Sequence, residues 1–199
     1  MRTIAAGLGV ACTYCHIGRN GAPLAEIDFA SDQKRSKLVA RQMMVMTRAI
    51  NGSLDSIPDR GASTIAVTCA SCHRGVARPV PLATLVADAA IVAGADSALR
   101  AYRGLRARYY GRDAFDFGEP TLNVAAYRAA RAGRIDDGLA LLRENLSLFP
   151  GASALHVFRG NILLMRQDTA VAADAFREAI LRDAGNDEAR ARLRDIGRR

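Results

Sequence analysis

All four cysteines and two of the three histidines fall in two pentapeptides, Cys12-Thr13-Tyr14-Cys15-His16 and Cys69-Ala70-Ser71-Cys72-His73. Each reads Cys-x-x-Cys-His, the attachment signal of a c-type haem. Two thiols at this spacing reach the two vinyl groups on one edge of a porphyrin and form thioethers. The adjacent histidine then presents its imidazole to the iron as proximal ligand. Two such motifs, with no cysteine left over, predict two covalently held haems. The competing readings are a zinc site built from four thiolates, and a pair of disulfides or redox-active thiols. Zinc fits the long separation of the pairs poorly. It also has no use for a histidine directly after each second cysteine.

Each iron needs a sixth ligand or an open position, and a methionine thioether is a common ligand. The elements that would hold the motifs follow from local signals. Met1 to Val10 reads as the last turns of a helix, broken by Gly7 and Gly9 before Cys12. Residues 17–30 are loop-like. An amphipathic helix is predicted from about Asp32 to Asn51, with Ser31 or Asp32 as N-cap. Val39, Met43, Met46 and Ile50 share one stripe of it, which makes Met43 and Met46 the inward methionines and Met44 the weakest ligand candidate. Methionine at such spacing also serves as core filler. Residues 52–63 read as a loop, 65–68 as extended, and 69–74 as a short helix, with Pro79 and Pro81 closing the segment. So small a segment builds little core from its own side chains, and two porphyrins would supply the missing apolar area.

The run Leu8-Gly9-Val10-Ala11-Cys12-Thr13-Tyr14-Cys15-His16, then Phe29, the helix end Met46-Thr47-Arg48-Ala49-Ile50-Asn51, and Val67-Thr68-Cys69-Ala70-Ser71-Cys72-His73-Arg74-Gly75 together resemble the cytochrome c subunit of photosynthetic reaction centres. That family carries four haems as two pairs; this chain resembles one pair, over about residues 1–82. The resemblance implies helix-then-motif units in which a methionine on the preceding helix is the sixth ligand. It assigns Met46 to the haem on Cys69, Cys72 and His73, and Met1 to the haem on Cys12, Cys15 and His16, with Met43 as a fallback. A helix that begins at its own ligand implies that Met1 is an internal residue of a longer helix. No sign of the segments that would dock to a reaction centre is seen, so the resemblance supports a dihaem electron carrier without showing a role in photosynthesis.

After Pro81 the composition shifts to Ala, Leu and Arg. Helices are predicted at about 83–93, 95–110, 119–132, 135–148, 153–166, 169–183 and 187–197. A self-similarity of about 34 residues pairs Ala126 with Gly160, Gly138 with Ala172, Leu142 with Phe176 and Asn145 with Ala179. Gly160, Leu163, Ala172, Phe176 and Ala179 resemble a tetratricopeptide repeat, the copy before it ends at Pro150, and 187–197 would cap the stack. Tyr109, Tyr110, Phe115 and Phe117 mark either a junction with the haem segment or ordinary core packing, and core packing is preferred. His156 occupies a core-type position, where a buried histidine is favoured over a remote haem ligand.

The 199 residues carry a formal charge of +8. Arginines are scattered among acidic neighbours, as on a solvated helical surface, which argues against a nucleic-acid partner. A positive face would steer docking to an acidic redox partner. The apolar runs fall short of a membrane span and no signal peptide is visible. Haem attachment implies export, so an upstream signal or lipid anchor is expected and the protein is placed in the periplasm or on the periplasmic side of a membrane. The fold class is mainly α: a small dihaem cytochrome domain, 1–82, followed by a tetratricopeptide-like array of helical hairpins, 83–199. The leading function is an electron carrier whose helical tail docks a redox protein, either membrane-bound or free. A dihaem peroxidase or reductase, and a repeat-based interaction protein with a haem sensor, are the alternatives. No nucleotide loop or catalytic triad stands out.

Overall fold

A computed structural model describes residues 1–58 and 66–197. Among these, the regular structure is helical apart from one isolated antiparallel bridge, Ile17 to Asp28. The chain divides into two compact units, Met1–Pro79 and Val80–Arg199.

In the first unit α1 (Arg2–Leu8) stops at Gly9, which adopts the left-handed conformation. The first motif forms a 3-10 turn at Cys12–Tyr14. Helix α2 spans Arg35–Asp55. It starts later than the expected cap at Ser31 or Asp32, because the Asp32 carboxylate is committed elsewhere. It accepts from Lys37 Nζ at 2.9 Å and Arg41 Nη1 at 2.6 Å. It also ends later than expected, running through Gly52 to Asp55, so residues 52–55 are helical and not loop. The rest of the expected loop, from 59 on, and Ile65 lie outside the described residues. Helix α3 (Cys69–His73) carries the second motif and opens with a reciprocal capping box between Thr68 and Ser71.

The second unit contains α4 (Leu82–Tyr109), α5 (Glu119–Arg131), α6 (Ile135–Leu148), α7 (Ser153–Met165), α8 (Thr169–Arg182) and α9 (Asp187–Gly197). Gly94, at φ 82° and ψ 170°, breaks α4 into the two helices that the sequence predicts there. Helices α5 and α6, 13 and 14 residues long, recur in α7 and α8 with the same lengths, about 34 residues on. Small residues stand where these pairs cross. A Cβ on Gly138 would lie 2.6 Å from Ala126 O, and one on Gly160 would lie 2.6 Å from the Phe176 ring.

Taken end to end across the Gly94 break, α4 has the length and composition of a membrane span. In the structure its Val86, Ala90, Ala98 and Tyr102 pack with Leu122, Ala126 and Leu141 in a shared core. Tyr109, Phe115 and Phe117 join the same cluster through edge-on ring contacts. His156 is buried, as its core-type position predicts.

Candidate haem-binding site

The first unit is poor in core. Its buried hydrophobic side chains, among the described residues, are Leu8, Ile27 and Val76. Helix α2 buries a single residue, Lys37, although Leu38, Val39, Met43, Met44, Val45, Met46 and Ile50 all lie on it and are exposed. A helix this apolar and this bare lacks a partner of comparable apolar area.

Two cavities adjoin it. The smaller, about 350 Å³, is lined by Cys12, Cys15 and His16 together with Met1 and Leu8. The larger, about 1110 Å³, is lined by Cys69 and Ala70 of the second motif and by Thr47 and Arg48 of α2. Ile4, Arg41 and Met44 line both. The stripe reasoning therefore needs correction. Met44, ranked last, faces both cavities; Met43 and Met46 line neither and lie on an exposed face, Met46 at 48%. The Arg41–Met44–Arg48 face of α2 lines the larger cavity, whereas the more apolar stripe is left open. Met1 lines the cavity of the first motif.

The two motifs are locked together by α1. Gly7 lies so close to the second motif that a Cβ there would sit 3.0 Å from Ala70 N and 3.2 Å from Cys69 Cβ. Gly75 N donates to Gly7 O at 2.9 Å. The helix that leads into the first motif is thus packed on the second. The start of α2 is pinned to the first motif by side chains that donate to main-chain carbonyls: Lys34 to Thr13 O, Ser36 Oγ to Tyr14 O at 2.6 Å. Lys37 Nζ donates to Phe29, Ala30 and Ser31 carbonyls at 2.8, 3.0 and 2.9 Å. The end of α2 is pinned to the approach to the second motif through Asn51 and Val67.

The histidines differ. His73 Nδ1 lies 2.9 Å from Val76 O, a contact that places the proton on Nδ1 and leaves Nε2 free as a ligand. His16 is buried against the Phe29 ring, centroids 4.8 Å apart, and its Nδ1 has no partner. Burial first, then the Lys37 charge, holds His16 below the ordinary histidine value, so it is neutral and able to ligate at neutral pH.

The donor set fits a haem better than the alternatives. All four cysteines are free. No group of three or more His, Cys, Asp or Glu converges on a metal ion among the described residues, which leaves a four-thiolate zinc site without its geometry. Two apolar cavities, one with Cys12, Cys15 and His16 in its wall and the other with Cys69, suit a porphyrin better than a metal ion. Lys37, Arg41 and Ile4 carry no motif signal in one sequence, whereas Asn51 is the last residue of the matching helix end.

Residues 20–102 match the model of a family described as the photosynthetic reaction centre cytochrome C subunit. Over the second motif and its helix the chain resembles that cytochrome. The match includes Met46, Cys69, Cys72 and His73, and leaves Met1 and the first motif outside. A photosynthetic reaction center cytochrome c subunit from Thermochromatium tepidum is 36% identical over 78 residues, 39% of this chain and 16% of the relative. The chain thus aligns with a small part of that relative's length. No solved structure matches. The family resemblance implies covalently bound haem c and the chemistry of electron transport.

Proposed function

We propose that the chain is a dihaem c-type cytochrome that carries electrons on the periplasmic side of a membrane, with its tetratricopeptide-like tail docking a redox partner protein. The observation that carries this reading is the pair of apolar cavities that share a wall, one lined by Cys12, Cys15 and His16 and the other by Cys69. When bound, haem supplies a one-electron couple at each iron. The chain's own residues do the rest. Cys12, Cys15, Cys69 and Cys72 hold the porphyrin edges, and His16 and His73 approach from one side. The Val76 carbonyl orients His73. Arg41, Arg48 and Arg74 line the larger cavity and offer cations to propionates. Ile4, Arg41 and Met44 stand between the two sites, so a charge change at one is felt at the other.

Met46 remains the proposed sixth ligand of the second haem on the strength of the resemblance, with Met1 serving the first. Met44 is the geometric rival. A peroxidase needs a distal acid–base group, and the described linings of the two cavities contain no Asp or Glu, which favours the carrier.

The test is an intact mass and a visible spectrum of the chain, exported to a periplasm with haem-attachment machinery. Two added haems, a low-spin spectrum with thioether ligation, and no carbon monoxide binding without denaturant are expected. Met46→Ala should remove one thioether signal and Met44→Ala should not. Free thiols or bound zinc in the exported protein would overturn the cytochrome reading.

A further inference from the structure

The backbone holds the two motif histidines differently. After His73 the chain turns through two residues in the left-handed region, Arg74 at φ 47° and Gly75 at φ 83°. The turn brings Val76 back against the histidine. Val76 N donates to His73 O at 2.9 Å, and His73 Nδ1 donates to Val76 O at 2.9 Å. The acceptor is the main chain of a buried residue, so no side-chain rotation releases it. An Nδ1–H that donates makes its imidazole a more basic ligand, and a more basic ligand favours ferric over ferrous iron.

His16 has no such support. It is 6% exposed, and its Nδ1 is buried without a partner. The Phe29 ring beside it, with centroids 4.8 Å apart, offers no carbonyl or carboxylate. Burial acts in the same direction as the missing bond. Apolar surroundings disfavour the extra positive charge of a ferric iron, and His73 is only half-buried. The cations oppose this order. Arg41, Arg48 and Arg74 line the larger cavity, Lys37 and Arg41 the smaller. Arg48 and Arg74 are exposed, however, where water and salt screen them. Lys37 is buried but shares its charge with Asp32. The cations therefore leave the order to the His73 bond and to burial.

We propose that this asymmetry gives the pair a direction: the first motif's site has the higher potential, and an electron passes from the site on Cys69, Cys72 and His73 to the site on Cys12, Cys15 and His16. One electron is transferred, with the second site oxidised and the first reduced; no bond breaks and no proton moves. Val76 and Phe29 are positioning residues here, acting through the histidines they touch. The proposal rests on the dihaem reading.

The test uses the full chain, exported with haem attached, reduced stepwise with dithionite and followed by proton NMR. Each haem's signals are assigned through contacts to the protons of its own motif, Cys12 to His16 or Cys69 to His73. At the half-reduced stage the first site should be the reduced one in roughly tenfold excess, which is about 59 mV for one electron. Phe29→Gln places an amide carbonyl beside His16. It should move the His16 Nδ1 proton downfield, lower the first site's potential, shrink the excess several-fold and leave the second site unshifted. Phe29→Leu, apolar and without an acceptor, should keep the wild-type order. Reduction of the two sites in step, or of the second site first, would overturn the proposal whatever the variants do. An unchanged excess in Phe29→Gln, with the Nδ1 proton shifted, would overturn the role given to the hydrogen bond. Intact mass separates the two readings: fewer than two haems overturns the dihaem cytochrome and this proposal with it, whereas two haems in the wrong order overturn the proposal alone.

Discussion

Asn51 holds the backbone of Val67 with both atoms of its amide: Nδ2 donates to Val67 O at 2.9 Å, and Oδ1 accepts from Val67 N at 2.8 Å. The contact spans the segment between α2 and the second motif, and Val67 stands two residues before Cys69. Asn51→Leu keeps the volume and removes both bonds, leaving a half-buried N–H and C=O to find water. It should cost about 1–3 kcal/mol in denaturant unfolding. In the exported protein it should also reduce haem attachment at Cys69 and Cys72 while the first motif loads normally. Peptide mapping of the attached haems would show this, and equal loss at both motifs would contradict a local clamp.

Gly9 and Gly75 lie against each other, and substitution should separate their roles. A Cβ on Gly9 would sit 2.0 Å from Gly75 O, with φ at +64°. Gly75 has φ +83° but open space around it. Gly75→Ala therefore meets backbone strain alone, about 1 kcal/mol. Gly9→Ala meets strain and a backbone collision, and α1 must lift away from α3. It should destabilise the first unit by at least about 2–3 kcal/mol. Thermal melts of the two variants settle the order; a Gly75→Ala penalty equal to that of Gly9→Ala would show that the contact gives way freely.

The second unit was the more legible in sequence, for a physical reason. Its helices bury their own stripes against each other, so periodicity, Gly94, Gly133 and Pro150 mark elements that the fold then uses. In the first unit the hydrophobic pattern has no protein partner to report. The Val39–Met43–Met46–Ile50 stripe reads as inward and is exposed, whereas Arg41, Met44 and Arg48 line the larger cavity. The cap of α2 misled because Asp32 is recruited by Lys37 and Arg41, five and nine residues on, and no local motif encodes that pairing. The two Cys-x-x-Cys-His pentapeptides stand out in the sequence because covalent haem attachment, unlike packing, would fix residue type and spacing.

His156 is buried, and neither ring nitrogen has a partner. Burial, the largest cause, lowers its pKa from 6.5, with Glu178 opposing and Arg182 and Arg159 adding to the shift. The sign follows directly. The folded state holds the neutral ring, and the unfolded chain takes up a proton below pH 6.5. The stability that depends on the neutral ring is complete above that value and falls as the pH drops through it toward the folded pKa. Unfolding midpoints of the wild type should decline between pH 6.5 and about 5. His156→Phe should flatten the curve in that window and match or exceed the wild type at pH 7. An unchanged slope in the variant would assign the decline to other groups.

Lys37 is the single buried residue of α2, and its ammonium is saturated: three carbonyls and the Asp32 carboxylate surround it at 2.8 to 3.0 Å. These carbonyls belong to residues 29–31, and the Phe29 ring rests on His16. The lysine thus holds the loop that holds the first motif's histidine. Lys37→Met fills the same space and supplies no donor, so it strands three acceptors and should cost about 2–3 kcal/mol. Lys37→Arg keeps the charge but should not rescue, because a planar fork cannot aim three protons at carbonyls converging on one point. With haem attached, both variants should broaden the proton resonances of the His16-side haem and leave the other sharp, as expected for a ring freed to reorient. If Lys37→Arg restores wild-type stability and spectra, the ammonium acts through charge alone and the loop is held by Asp28, which accepts from Ala30 N and Ser31 N at 2.8 and 2.9 Å.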